Sequence, residues 1–281
     1  MPPDPDRDSD PIDYQEYLAW TYFGEGGLDA SEFERFGALL DGVDTFIDVG
    51  ASHGVYTFHA LRHMATGRII AIEADPARFA LLQKNVAEWT TDTDVEVECR
   101  FAAVSDDEDL RDGPTVEFYT TGTQISGGLF PVEERSNEYA PVEVPLIKLD
   151  DLLDADHRYL VKIDVEGGEL RVLKGAREMI RSGAATFFVE LSWWGDRDRG
   201  TSVLTSIRFI HRQGLGIRRR LRSDYLLFPE PSRLRAIGQT ARVVPPLLPR
   251  YLFTTLVPAR LRRAYIRRQN RQRLSRAPRS S

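Results

Sequence analysis

The chain has 281 residues, 42% hydrophobic and 28% charged, with a formal net charge of −6, which suits one large α/β domain with appendages or two small domains. Its one cysteine, Cys99, excludes an internal disulfide framework and fits a reducing compartment, and no apolar run approaches the roughly 18 residues of a membrane span. The charge is split: residues 1–200 hold 41 acidic and 18 basic residues and residues 201–281 hold 2 and 19, the pattern of an acidic globule with a basic tail.

The N-terminus, MPPDPDRDSDP, is acidic and proline-rich, unlike a signal peptide, and is expected to be disordered. Tyr14 to Phe23 is aromatic and suits a short helix. Ser31 and Glu34 form a capping-box pattern, followed by Phe33, Phe36 and Leu40 at helical spacing. Thr45–Gly50 reads as a buried strand, and Val55, Phe58, Leu61 and Ala65 as one face of a helix. Arg68–Glu73 is a second strand. Asp75 and Pro76 supply the cap and first-turn proline of a helix whose apolar face is Phe79, Leu82, Val86 and Trp89. Val95–Val104 is a third strand. Residues 106–148 break the alternation: Thr115–Thr120 and Pro141–Ile147 look half-exposed around a glycine-rich loop at 121–128, an insertion that either covers a site or is a plain surface hairpin. Tyr159–Val165 is a strand, a helix follows through Leu170 and Leu173, and Ala185–Leu191 is another strand. The order implies a mostly parallel sheet with helices on both faces. The divisions expected are 1–43 as an acidic segment and helical lead-in, 44–230 as the main domain, and 231–281 as a basic, partly amphipathic tail.

Four strands end in a carboxylate: Asp48, Glu73, Asp164 and Glu190. Open α/β sheets bind ligands outside the carboxyl ends of their strands, and buried carboxylates are costly unless paired or hydrogen-bonded. In the stretch Val161–Glu166, the residues Lys162, Asp164 and Glu166 alternate with apolar ones and share one face. They fit a site. The plainer alternative has Lys162 paired with a neighbouring acid and Glu166 capping the next helix. The loop from Asp48 through Gly50 and Ser52 to Gly54 is not the G-x-G-x-x-G of dinucleotide sites. With Glu73 placed for ribose hydroxyls, it suits S-adenosylmethionine, which has a ribose and an amino acid end but no phosphate.

Phe46–Thr57, Ile70–Pro76, Ala102–Asp106, Leu146–Leu153 and Val161–Ala176 together resemble the FkbM family of S-adenosylmethionine-dependent methyltransferases over roughly residues 44–192. The resemblance implies a class I methyltransferase (Rossmann-like) fold and O-methylation, often of sugar hydroxyls. It implies that Asp48 and Gly50 belong to the cofactor loop, with Ser52 and Gly54. It puts Glu73 on the ribose, Ala103, Val104 and Asp106 near the adenine, and Asp164 and Glu166 where the methyl meets its acceptor. Ser52 stands where asparagine is common and Gly168 where alanine is common; Ser52 is still able to cap the helix.

The candidate bases are Asp164, Glu166 and His53. Asp164, Glu166 and Glu190 are also able to hold a divalent cation, but no spacing requires one, so metal stays unassigned. Trp193-Trp194 suits sugar stacking or core packing equally. In the tail, apolar residues from Val243 precede nine arginines and no acid from residue 260 onward, which suits a membrane surface, RNA, docking on the acidic globule, or a solvated tail. The expectation is a cytoplasmic O-methyltransferase for a hydroxylated small molecule or lipid-linked glycan, with peripheral contact at the inner membrane face. Its rivals are an RNA methyltransferase using the arginines and a scaffold without catalysis.

Overall fold

The structure, a computed structural model, describes residues 30–91, 93–106, 113–120, 127–128, 140–154, 156–165, 167–191, 203–221 and 224–243. The acidic N-terminal segment, the Tyr14–Phe23 helix, Glu166, Trp193-Trp194, loop residues 121–126 and the sequence beyond 243 lie outside them.

The strands in chain order are β1 (Thr45–Val49), β2 (Gly67–Glu73), β3 (Val95–Phe101), β4 (Ala103–Val104), β5 (Thr115–Thr120), β6 (Gly127–Gly128), β7 (Ala140–Ile147), β8 (Tyr159–Ile163), β9 (Ala185–Glu190), β10 (Leu215–Leu221) and β11 (Asp224–Pro229). The helices are α1 (Ala30–Gly37), α2 (Val55–His63), α3 (Pro76–Trp89), α4 (Glu169–Lys174), α5 (Arg177–Ser182), α6 (Val203–Arg212) and α7 (Arg233–Val243). Seven strands form one sheet in the order β10-β11-β9-β8-β1-β2-β3. β3, β2, β1, β8 and β9 are parallel, and β11 is antiparallel to both β9 and β10. This is the expected α/β architecture, and the order reverses at β1, where such sheets open a crevice.

Every residue of β1 and of β8 is buried, as parallel strands covered on both faces must be. One face packs Ile47, Val161, Ile163 and Phe187 against Val172 and Met179 of α4 and α5. The other packs Phe46, Leu160 and Phe188 against Phe36, Ala60 and Met64. Each such side chain contributes about 1.5–3 kcal/mol of transfer free energy, so Phe33, Phe36 and Leu40, all buried as expected, tie the lead-in to the main domain. Likewise α7, in the segment read as tail, packs on the sheet through Ala236 and Thr240, and Thr240 meets the His211 ring at 2.7 Å.

Three readings shift. α2 buries Thr57, His59 and Ala60, whereas Val55, Phe58 and Leu61 are half-buried and Ala65 is exposed beyond the helix. The cause is polar: Thr57 is held by a carboxylate under the helix (below), and His59 stacks on Phe33 with ring centroids 3.7 Å apart. Burial pushes the His59 imidazole down to about 4, reinforced by the nearby His63 and Arg62 charges. The third strand stops at Phe101, because Ala103-Val104 leaves the main sheet to pair with Leu146-Ile147. The expected insertion is a second, four-stranded sheet, β4-β7-β5-β6. Its Phe118, Val144 and Leu146 pack on Ala74, beside Glu73, and Thr120 Oγ1 donates to Asp75 Oδ2 at 2.6 Å. The insertion therefore borders the strand ends.

Among the described residues, no helix is long and apolar enough to cross a membrane.

Candidate active site

β1 turns into α2 through Gly50, Ala51, Ser52, His53 and Gly54. Gly50 has φ +79°, and a Cβ there would collide with the Asp164 carbonyl oxygen, so only glycine lets the loop after β1 touch the end of β8. Asp164 N donates to Val49 O at 3.0 Å, which locks the two strand ends together. Gly54 has φ +93° and packs against Leu82 and Trp89 of α3. Ser52 is left-handed at φ +52°, a conformation asparagine tolerates better than most residues. The expected side-chain cap is absent: the N-cap of α2 is Gly54, and Ser52 Oγ lies 3.1 Å from His53 Nδ1 instead.

Asp48 anchors α2 from below. Its Oδ2 accepts from Thr57 N at 3.1 Å and Thr57 Oγ1 at 2.8 Å, satisfying one of the donors a helix start leaves open. Asp48 is 2% exposed. Burial pushes its carboxyl up to about 6, although the Thr57 hydrogen bonds and the Lys162 charge pull the other way.

Glu73 closes the end of β2. Its Oε2 accepts from Ser52 N at 2.8 Å, and its Oε1 from Ala74 N at 2.9 Å and Asp75 N at 2.8 Å. Three of the roughly four lone-pair sites of a carboxylate are thus taken by backbone. Burial raises the Glu73 carboxyl; those backbone donors and the Arg78 charge moderate the rise. Asp75 caps α3 as expected, accepting from Ala77 N and Arg78 N.

The end of β8 answers the question raised by its alternating charges. Lys162 is 1% exposed, and its Nζ donates to Asp164 Oδ2 at 3.0 Å and Asp224 Oδ1 at 3.2 Å. It lies over the rings of Tyr56 at 4.8 Å and Phe188 at 5.4 Å. Burial opposes its charge, but Asp164 and Asp224 outweigh burial and hold the ammonium well above the usual lysine range. Burial pushes Asp164 up, yet Lys162, a hydrogen bond with Glu190 and the Arg78 charge leave its carboxyl below the ordinary value. The Asp164 side chain is one-third exposed, so an ionised carboxylate faces the rim.

Two clusters result. Lys162, Asp164, Glu190 and Asp224 meet across β8, β9 and β11; Glu73, Ser52 and Asp75 meet across β2 and the first loop. Gly50 N and Ala51 N donate to Ile72 O, Ser52 N donates to Glu73, and Asp164 N donates to Val49 O, so the loop after β1 joins the two clusters at neighbouring strand ends. His53 sits beside the loop, its carbonyl accepting from Asn85 Nδ2 at 2.9 Å. Ala103 and Val104 are buried next to the end of β2, where Ala102 N donates to Glu73 O at 3.2 Å. Asp106 is drawn to the last residue of α4, Lys174, at 3.2 Å, and its Oδ1 is buried with no partner among the described residues. Sequence reasoning missed Asp224, Arg78 and Thr57. Among the described residues no group of three or more His, Cys, Asp or Glu is arranged to hold a metal; Glu166, part of the set considered, lies outside them.

The model of the methyltransferase FkbM domain matches residues 48–222, from the Asp48 anchor to the end of β10. The chain belongs to the FkbM methyltransferase family. Similar solved structures include the methyltransferase FkbM from Methylobacillus flagellatus KT, at 20% identity and TM-score 0.43, covering 75% of this chain and 47% of that one. The chain thus spans about half the length of that protein. The precorrin-6y C5,15-methyltransferase from Geobacter metallireducens GS-15 matches at 15% identity and TM-score 0.38, over 69% of this chain and 86% of that one. A Bacillus cereus O-methyltransferase in complex with SAH matches at 11% identity and TM-score 0.41, over 72% and 82%. Membership rests on the domain match, and with it the expectation of a methyltransferase stands. No curated protein matches the sequence.

Proposed function

We propose that this FkbM methyltransferase uses S-adenosylmethionine to methylate a hydroxyl of a glycan or a related small molecule. The observation that supports the reading is the juxtaposition of two carboxylates: Glu73 and Asp164 lie at the ends of the strands either side of β1, and the loop after β1 hydrogen-bonds to Glu73 and packs against the Asp164 backbone. The donor set suits this cofactor. Carboxylates face the rim to meet a sulfonium, an ammonium and ribose hydroxyls, and Glu73 retains about one free lone-pair site for a hydroxyl. The buried Asp106 Oδ1, which has no partner among the described residues, is an acceptor of the kind an exocyclic adenine amine needs. The loop Gly50–Gly54 carries no Lys or Arg for a phosphate.

S-adenosylmethionine, when bound, supplies a methyl group on a positively charged sulfur. The chain's own work is to bind, align and accept a proton. Holding the acceptor oxygen in line provides much of the rate. Asp164, kept ionised by Lys162, would accept the hydrogen bond of the acceptor hydroxyl and take its proton as the methyl passes from sulfur to oxygen, the C–S bond breaking with its electron pair left on sulfur. A carboxylate below its ordinary pKa is a weak base, so Glu166 and His53 stay as the other candidates for that proton.

The test combines calorimetry with cofactor and transfer of labelled methyl groups into extracts fractionated into lipid-linked glycan, RNA and small molecules. Asp164→Asn is expected to keep cofactor binding and to lose about 10²–10⁴ in transfer rate, the usual span for general acid–base groups. Glu166→Gln and His53→Ala complete the comparison, and the variant with the largest loss in rate but not in affinity identifies the base. No cofactor affinity in the intact protein would favour the scaffold reading; label confined to RNA would favour the RNA methyltransferase.

A further inference from the structure

Outside the crevice, the feature least explained by the fold is helix α7. Leu234 is 84% exposed and Ile237 49% exposed, and they are the exposed large hydrophobic residues found among the described residues. Both lie on α7. At helical spacing they share a face with Gly238 and Ala241, also exposed, while Ala236 and Thr240 on the opposite side anchor the helix to the sheet. Among the described residues, a Cβ on Gly238 would meet nothing within 4 Å, so none of them covers this face at that point. The helix is therefore amphipathic twice: it binds the domain with one side and shows bare aliphatic groups with the other.

Charge says what those groups face. Arg233, Arg235 and Arg242 flank the face and are exposed, as are Arg208, Arg212 and Arg218 on neighbouring α6 and β10. The acids after residue 200 are Asp224 and Glu230, both buried, at 6% and 5%. Asp224 is spent on Lys162, and Glu230 on Ser232 N and Gln239 Nε2. The described part of this region thus presents arginine and aliphatic side chains and no exposed acid.

We propose that the outer face of α7 docks on an anionic lipid surface, with Leu234 and Ile237 entering the boundary between headgroups and acyl chains and the flanking arginines meeting lipid phosphates. An apolar stripe bordered by arginines is the pattern of helices that lie in a membrane interface. RNA is the weaker fit: two aliphatic side chains at the centre of the face contribute nothing to a phosphate backbone and lack the ring that stacks on a base. This inference does not depend on the methyl-transfer reading, because its readout is binding.

The experiment is flotation of the full chain with vesicles of phosphatidylcholine alone and of phosphatidylcholine mixed with phosphatidylglycerol. Binding is expected to the anionic vesicles only and to weaken with salt, since the Debye length falls to about 3 Å at 1 M. The double variant L234S/I237S, exposed enough to keep its fold by circular dichroism, is expected to lose about tenfold or more in vesicle affinity. R233E/R235E/R242E is expected to lose at least as much. A dye on L234C, in a C99S background, should shift to the blue with anionic vesicles and be quenched freely without them. Full binding by L234S/I237S would overturn the proposal, because the arginine-rich sequence beyond 243 would then hold the membrane alone. A dye already shielded without lipid would also overturn it, since the chain itself would cover the face. Tight RNA binding, with no preference for anionic vesicles, would assign the surface to nucleic acid.

Discussion

Asp48 and Asp164 end adjacent parallel strands, both are aspartates beside Lys162, and their environments drive them in opposite directions. Asp48, sealed under α2, receives two hydrogen bonds from one threonine, and burial wins: its carboxyl rises to about 6. Asp164, one-third exposed and in direct contact with the Lys162 ammonium, falls below its ordinary value. The cation decides the difference. Lys162 spends both its close contacts on Asp164 and Asp224 and reaches Asp48 only through space. The strand ends thus hold one carboxylate sealed under α2, which burial pushes up, and one that stays ionised and is partly exposed at the rim.

The comparison breaks most completely if the cation is removed. Lys162→Met leaves Asp164 and Asp224 next to each other without compensation, and losing one partner of a buried ion pair costs about 3–5 kcal/mol. Denaturant unfolding at neutral pH should show that loss. The deficit should shrink on acidification as the stranded carboxylates take up protons. Adding Asp224→Asn to the variant should recover part of the stability, a coupling between positions 62 residues apart. A loss below about 1 kcal/mol would mean that the pair behaves like a surface ion pair.

The next effect separates the two aspartates by pH. Asp48 has a folded pKa above its unfolded value, so its contribution to stability is complete below about 3.8 and is lost as pH rises through about 6. At about 1.4 kcal/mol per unit, that loss is at most about 3 kcal/mol. Asp164 works the other way: its contribution is present above the unfolded value and is lost as pH falls through its depressed one. Asp48→Asn keeps an acceptor for Thr57 and removes the titration. Its stability relative to the parent should therefore improve steadily between pH 4 and about pH 7, read from denaturant midpoints. An unchanged difference across that range would place the Asp48 carboxyl at its ordinary value.

Much of this arrangement was legible in the sequence. Apolar runs ending in an acid located β1, β2, β8 and β9, and Asp75-Pro76 announced the start of α3. The alternation of Lys162, Asp164 and Glu166 also said that one face of β8 is polar. It did not say that Lys162 would be satisfied by Asp224, because that contact joins β8 to a strand that arrives after three helices and pairs antiparallel at the far side of β9. The preceding run, Leu215–Leu221, contains three arginines and does not read as a buried strand. The phase of α2 was missed for a related reason. Hydrophobic spacing assumes that apolar residues face inward, whereas Asp48 draws Thr57 inward and turns Phe58 toward Trp89 at 5.0 Å. A threonine nine residues after a strand-end aspartate was the available signal. Glu166, the residue on which the choice of base most depends, lies outside the described structure.

The smallest effect tests the loop that joins the two carboxylates. Ser52 has φ +52° and donates its backbone N–H to Glu73, so its left-handed turn is what brings the β1 loop onto the end of β2. Asparagine enters that conformation more readily than serine, because its amide is able to satisfy nearby backbone groups. Ser52→Asn should therefore stabilise the protein by a few tenths of a kcal/mol, at the edge of what a thermal midpoint resolves, provided the gain exceeds the lost contact between Ser52 Oγ and the His53 ring. Pairing it with His53→Ala removes that contact from both sides of the comparison, so any remaining gain reports the backbone alone. A loss in the paired experiment would show that the serine hydroxyl, rather than the turn, holds the loop against Glu73.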